Sequence, residues 1–279
     1  MSGFSPDWLS LREPADHAAR NPQVLAAVGA AFAGRSSVTV VDLGCGAGSN
    51  LRGTYGALPP RQHWTLVDHD PRLLSVARRQ LAAWADAVQE QGEELVLHKG
   101  ETVLTVDFRR ADLNTELEWV LGWQPDLVTA AALFDLVSAR WIERFAASLV
   151  SQRLPLYTVL TYDGRESWEP PHAEDQRMLA AFHHHQRGDK GFGPAAGPDA
   201  VEVLAQAFRK SGCAVTVGES PWLLGPDQAD LVRELTAGMA GAVAETGHVE
   251  PAAIEAWLQA KAGGVSGRVG HLDLWARPV

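Results

Sequence analysis

The sequence predicts an α/β fold built on a doubly wound parallel sheet, and three observations predict it. The first is the stretch Val38-Thr-Val-Val-Asp-Leu-Gly-Cys-Gly-Ala-Gly-Ser-Asn50. Its opening, Val38 to Val41, is apolar, β-branched and too short for a helix, so it reads as a buried strand. The second is another apolar run, Trp64-Thr-Leu-Val67, which ends in Asp68 about twenty residues beyond the last glycine. The third is the alternation of helical and strand patterns from there to Tyr162.

The glycine stretch carries the chemistry. Strand one ends in Asp42, and Gly44, Gly46 and Gly48 follow at alternate positions. That spacing permits a tight turn and lets a ligand approach the bare backbone. Asn50 to Ala57 can then open a helix, which presents backbone N–H groups at its start. An acidic residue at the tip of strand two, Asp68, is placed for two ribose hydroxyls. Asp42-Leu-Gly-Cys-Gly-Ala-Gly48 and Leu66-Val-Asp-His-Asp-Pro71 together resemble the class I S-adenosylmethionine-dependent methyltransferase family. The competing reading is an NAD-binding domain, whose third glycine follows two intervening residues, where here one residue separates each pair.

The resemblance implies a Rossmann-like, doubly wound, seven-stranded sheet with an antiparallel last strand. It has motif support over about residues 36–165, and over 198–279 it follows strand order alone. A single domain, 1–279, is expected, with a helical cap at 1–35. An insertion at 163–197 would follow strand five, and a helical insertion at 227–262 would separate strands six and seven. The implied cofactor is S-adenosyl-L-methionine, released as S-adenosyl-L-homocysteine.

Composition narrows the class. The chain has 279 residues and a formal net charge of −10. Nucleic-acid binding needs a basic face, and Arg78-Arg79 and Arg109-Arg110 both have acidic neighbours, so no nucleic-acid partner is expected. No apolar run has the length of a membrane span and the N-terminus lacks a signal-peptide pattern, so neither membrane nor export is expected. The only cysteines, Cys45 and Cys213, show no paired spacing, which points to a reducing cytoplasm. Oligomeric state is not written in these features.

In chain order, Pro14 can sit in the first turn of a short helix running to about Arg20. Asn21-Pro22 breaks it, and Gln23 to Phe32 forms a second helix stopped at Gly34. The resemblance makes Arg12, Asp16 and Arg20 candidates for the methionine end of the cofactor; the alternative is i,i+4 pairing on an exposed face. Asn50 and His69, beside the glycine loop and Asp68, join Asp42, Gly44, Gly46 and Gly48 as cofactor candidates. A helix from Pro71 to about Glu90 carries a core stripe of Leu73, Leu74, Ala77, Leu81 and Trp84. Leu95–Leu97 and Val103–Phe108 form a hairpin or one bent strand. Asp112, with Leu113, matches the family's adenine-contacting position, though it could simply cap a short helix.

Strand four starts at Asp126 and leads to Phe134 and Asp135, at the carboxyl end where doubly wound sheets bind ligands. The loop lacks the Asn-Pro-Pro-Tyr or Asp-Pro-Pro-Tyr sequence that in the resembling enzymes marks methylation of bases or glutamine amides. A small-molecule acceptor is therefore expected. A helix from Trp141 to Gln152, strand five from Leu154 to Tyr162, a helix from Pro198 to Lys210 and strand six from Cys213 to Val217 follow. Two helices, Gln228 to Ala244 and Pro251 to Ala262, precede strand seven, Arg268 to Ala276. In that last strand the apolar residues only partly keep a two-residue period.

Residues 163–197 are rich in His, Trp, Pro, Gly and charge. A segment of this kind at a strand terminus reads as a lid or substrate loop, with a plain surface loop as the alternative. Methyl transfer needs an aligned nucleophile, exclusion of water and, for some acceptors, a base. Asp135 and His184 are the catalytic candidates; Trp141, His183, Phe192 and Trp222 are the substrate candidates. Three adjacent histidines, His183 to His185, point in different directions on a regular element, so no metal is expected. The function expected is methyl transfer to a small molecule by in-line displacement. A non-catalytic S-adenosylmethionine-binding regulator or scaffold and an NAD-dependent oxidoreductase are the alternatives.

Overall fold

The computed structural model describes residues 4–279, so the first three positions of the expected 1–35 cap lie outside the described residues. Five parallel strands form the centre: β1 (Ser37–Leu43), β2 (Arg61–Asp68), β5 (Thr102–Arg110), β6 (Leu127–Ala131) and β7 (Leu156–Glu169). Their order is β5-β2-β1-β6-β7, so the chain reverses direction across the sheet between β1 and β6. Ligands bind at such a reversal, beyond the carboxyl ends of the strands. Antiparallel β10 (Ser266–Arg277) lies between β7 and β8 (Ala214–Glu219). These seven strands make the expected Rossmann-like core.

Three further strands extend it to ten. The short β9 (Trp222–Leu224) pairs with β10. At the opposite edge β3 (Ala87–Gln91) and β4 (Glu94–Lys99) form an antiparallel pair that continues onto β5. Leu95–Leu97 and Val103–Phe108 are thus two arms of a hairpin, turned at Gly100 with φ 56°. The helix expected from Pro71 to Glu90 ends at Trp84, as α4 (Pro71–Trp84). Its buried stripe, Leu73, Leu74, Ala77 and Leu81, stops there, and Asp86 turns the chain by accepting from the Lys99 ammonium and the Gly100 N–H.

Helices cover both faces. On one, α6 (Ala139–Ser151), α8 (Ala200–Lys210) and the short α5 (Leu117–Leu121) bury Val41, Val128, Phe145 and Leu204 in a common cluster. On the other, α2 (Pro22–Phe32), α3 (Ser49–Thr54) and α4 bury Val28, Val40, Leu51, Trp64 and Leu81. The N-terminal helix α1 (Pro6–Ala19) starts eight residues earlier than expected. Ser5 accepts from the Trp8 N–H as its cap and Pro6 fits the first turn, so Pro14 is carried inside the helix. Asn21 then caps α2 through the N–H groups of Gln23 and Val24.

The 163–197 segment is also more regular than expected. Residues 163–169 prolong β7 and pair with β10, after which α7 (Asp175–Gln186) packs against α9 (Ala229–Thr246) and α10 (Pro251–Lys261). Lys261 is buried and clamps that corner, with its ammonium 2.6 Å from Asp175 and between the rings of Trp168 and Trp257. No helix among the described residues is long and apolar enough to cross a membrane.

Candidate functional site

The glycine loop joins β1 to α3 at the reversal point. Gly44, Gly46 and Gly48 all have positive φ, at 64°, 53° and 78°. The need is clearest at Gly46: its conformation is left-handed, and an added Cβ would stand 3.2 Å from Leu9 of α1. The loop is tied to strand two. Cys45 N–H donates to Val67 O, and Gly46 N–H donates to Asp68 Oδ2 at 3.0 Å. Asp68 Oδ1 accepts from the Asp70 N–H at 2.9 Å, and His69 Nδ1 lies 3.4 Å from the same oxygen with its ring largely exposed. Asp68 is thus buried at the strand tip, with backbone donors fixing its orientation.

Behind the loop lies a buried polar network. Asp42 is fully buried, and its Oδ1 accepts from Asn50 Nδ2 at 2.7 Å. The same amide nitrogen donates to Thr129 Oγ1 on β6, while Asn50 Oδ1 accepts from Arg20 Nη2 at 2.9 Å. Arg20 also donates to Thr54 Oγ1, and its guanidinium lies over Gly53, where any side chain would clash with it at 2.6 Å. Burial pushes the Asp42 carboxyl up to about 7, against the pull of Asn50 and the Arg20 charge. Asp42 Oδ2 has no hydrogen-bond partner.

A second buried carboxylate stands across the reversal point. Asp135 follows β6, is 8% exposed, and accepts from Gln186 Nε2 of α7 at 3.3 Å. Burial raises it to about 6, opposed by the charge of Arg12 and the hydrogen bond from Gln186. Its Oδ1 is also unpartnered. Around it stand Tyr162 of β7, whose hydroxyl is 3.0 Å from His183 Nε2, and His271 of β10, 6.1 Å from the Tyr162 ring. Burial, then the Arg12 charge, holds His271 down to about 3, so it is neutral. Burial and Arg187 lower His183 as well. Trp222 completes the wall: its Nε1 donates to Asp16 at 2.9 Å, and Arg12, paired bidentately with Asp16, lies over its ring.

The expected site residues divide into groups. Asp42, Gly44, Gly46, Gly48, Asn50, Asp68, His69 and Arg20 gather around the loop, with Arg20 reaching it through Asn50. Asp112 is exposed and accepts from the Asn114 N–H in a local turn, while the N-cap position of α5 falls to Glu116. Leu113 beside it is buried, and its carbonyl accepts from Trp141 Nε1. Trp141 therefore fastens the end of β5 from within the core, stacked on Phe145, and Phe192 packs edge-on against it. Phe134 is fully buried against the same two rings, which leaves its backbone at the end of β6.

The three histidines separate as the helical period dictates. His183 faces Tyr162, His184 is exposed beside His248, and His185 reaches Glu245 at 2.9 Å. The catalytic expectation for His184 is thereby corrected: it sits on the outer side of α7, and His183 takes the inward position. Among the described residues no three His, Cys, Asp or Glu side chains converge as a metal site.

Sequence reasoning missed Tyr162, Gln186, His271 and Asp273. A signal existed for the last two, since His271 and Asp273 interrupt the apolar run of the final strand and both are buried. Tyr162 and Gln186 carry no local signal.

The orphaned atoms test whether a cofactor fits. Asp42 Oδ2, Asp135 Oδ1, Thr158 Oγ1, Thr161 Oγ1 and His271 Nδ1 are buried without partners on β1, β10, β7 and the turn after β6. Buried polar atoms are normally satisfied, and two of these, Asp42 Oδ2 at the end of β1 and Asp135 Oδ1 after β6, flank the reversal point, which suits a polar ligand there. Leu9 and Leu133 stand against Gly46 and Gly44, so α1 covers this crevice. An open cleft of about 340 Å³ elsewhere, on the sheet face that short α5 leaves bare, is lined by His63, Asp107, Trp119 and Trp123 and holds none of the candidate residues.

No family model and no curated protein matches the chain. Solved structures do. A cyclopropane-fatty-acyl-phospholipid synthase-like protein from Lactobacillus casei superposes with a TM-score of 0.53 at 15% identity, covering 97% of this chain and 94% of that one. The YcgJ protein of Bacillus subtilis gives a TM-score of 0.50 at 13% identity over 92% and 98%. A S-adenosylmethionine-dependent methyltransferase from Thiobacillus denitrificans, in complex with S-adenosyl-L-homocysteine, gives 0.45 at 16% over 99% of each chain. Identities this low speak to architecture alone. With β10 antiparallel between β7 and β8, the chain has the class I S-adenosylmethionine-dependent methyltransferase fold.

Proposed function

We propose that this chain transfers a methyl group from S-adenosyl-L-methionine to a small-molecule acceptor. The observation that carries the reading is the pair of buried carboxylates, Asp42 and Asp135, each with one unpartnered oxygen, flanking a glycine loop anchored to Asp68. Asp68 would take the ribose hydroxyls, the Gly44–Gly48 backbone the amino-acid portion, and Asp42 the amino group through its free oxygen. Arg20 and Asn50 hold Asp42 in place. Leu113, Asp112 and the Phe134 backbone would border the adenine, and His69 the outer side of the ribose.

When bound, S-adenosylmethionine supplies a methyl on a cationic sulfur already activated for displacement. The chain's own part is to orient the acceptor, exclude water and accept a proton where the acceptor must lose one. Helix α1 and the wall of Trp8, Trp222, Tyr162 and Phe182 exclude water. Asp135, raised to about 6, is the proton acceptor, with neutral His183 and its Tyr162 partner beside it. Trp222 faces the acceptor, whereas Trp141 and Phe192 support the adenine end.

The net charge of −10 favours a small acceptor over nucleic acid. Two unpaired cysteines suit a reducing compartment, the cytoplasm. Incubation with isotopically labelled S-adenosylmethionine and a metabolite extract tests the reading, with the Gly46→Val variant as the blank. A labelled product absent from the blank supports it. No labelled product from a chain that binds S-adenosyl-L-homocysteine would favour a non-catalytic binding protein.

A further inference from the structure

We infer that Asp273 is a positioning residue that holds the two halves of the site in register. It sits within β10 and is fully buried. Its two oxygens serve two distant backbone groups. Oδ1 accepts from the Leu160 N–H of β7 at 2.9 Å, and Oδ2 accepts from the Asn21 N–H at 2.8 Å. Asn21 is the joint between α1 and α2, and its side chain donates to Glu219 O on β8.

The β7 contact lies at a bulge. Leu272 pairs with Thr161 and Leu274 with Thr158, so Val159 and Leu160 both oppose Asp273. Leu160 has φ 57°, a conformation a bulky residue adopts only when its surroundings impose it. Asp273 supplies that imposition by capturing the amide that the bulge frees from the ladder. One extra residue inverts the alternation beyond it, so the bulge decides which way Thr161 and Tyr162 face. The Tyr162 hydroxyl in turn meets His183 Nε2 at 3.0 Å in the acceptor wall.

A continuous path results. Asp42 is held by Asn50, Asn50 by Arg20, and the next residue, Asn21, by Asp273; from there the bulge leads through Tyr162 to His183. The carboxylate assigned to the cofactor and the Tyr162–His183 pair of the acceptor wall are thus placed through one buried group. This consequence for turnover rests on the methyl-transfer reading; the geometry itself does not.

Asp273→Asn tests it, because an amide side chain cannot accept from both N–H groups. In the folded variant, hydrogen exchange at Leu160 or Asn21 should accelerate about tenfold or more relative to Val40 in β1. The His183 ring nitrogens, followed by NMR, should change chemical shift as their Tyr162 hydroxyl partner drifts. Turnover should fall about tenfold with a smaller change in cofactor KM. Unchanged exchange and unchanged His183 shifts in folded Asp273→Asn would overturn the inference. If the variant does not fold, the wild type decides: protection of Leu160 and Asn21 to the level of global unfolding supports it, and fast exchange at Leu160 overturns it. Calorimetry of wild type with S-adenosyl-L-homocysteine judges the methyl-transfer reading separately, since the exchange and chemical-shift measurements need no cofactor.

Discussion

The proposed ribose and amino-acid end of the cofactor site and the proposed acceptor side are built in opposite ways. The first comes from one contiguous β-loop-α-β unit, with Asp42, Gly46, Asn50 and Asp68 close in sequence and linked by short hydrogen bonds. The second is gathered from six elements: Arg12 on α1, Asp135 after β6, Tyr162 on β7, His183 on α7, Trp222 on β9 and His271 on β10. A contiguous unit leaves a motif because its geometry depends on local backbone demands. A gathered wall leaves none, because each residue matters only through the fold that brings it there.

The sharpest way to break the comparison is Gly46→Val. It puts a β-branched residue at φ 53° beneath Leu9, so binding of S-adenosyl-L-homocysteine should vanish while circular dichroism stays native. Normal binding by the folded variant would show that the loop does not cradle the ligand.

Asp135→Asn should act on the other half. Losing a proton acceptor costs about a hundredfold or more in turnover for an acceptor that must be deprotonated. Affinity for S-adenosyl-L-homocysteine should change little, and His184→Ala should change neither quantity. A turnover loss on His184→Ala matching that of Asp135→Asn would return the catalytic role to the outer side of α7.

Asp68→Ala should weaken S-adenosyl-L-homocysteine by about tenfold or more, given about 1.5–3 kcal/mol for a hydrogen bond to a charged group. Titration calorimetry reads this directly, and unchanged affinity would remove Asp68 from the ribose site.

The smallest effect is on stability. The Asp42 carboxyl is raised from 3.8 to about 7 in the folded chain. A raised acid contributes stability that is complete below its unfolded pKa and is lost as pH rises through the folded one. Asp42→Asn escapes that loss, so its Tm should exceed the wild type's by a few degrees at pH 8, with the gap closing toward pH 4. His271, lowered to about 3, acts in the opposite direction, but equally in both proteins, so it cancels from the difference. A Tm gap independent of pH would show that Asp42 is not the strained carboxylate described.

The same contrast explains what the sequence made legible. Val38–Asp42, the three glycines and Asp68 announced the strand, loop and strand tip because each answers a local steric or capping demand. The boundary errors arose where local signals misled: Pro14 hid a helix begun at Pro6, and Ala87–Gln91 is an exposed edge strand with no apolar alternation to end the stripe of α4. His183 and His184 are neighbours in sequence, and only the packing of α7 decides which one faces Tyr162. The amide freed at the Leu160 bulge finds its partner in Asp273, more than a hundred residues away.

The most direct test of the central claim is calorimetry of the purified chain with S-adenosyl-L-homocysteine and, separately, NADH, near neutral pH. Saturable one-to-one binding of S-adenosyl-L-homocysteine, lost in Gly46→Val, with no heat from NADH, is the result predicted. Saturable NADH binding, or no S-adenosyl-L-homocysteine binding by a folded chain, would contradict it.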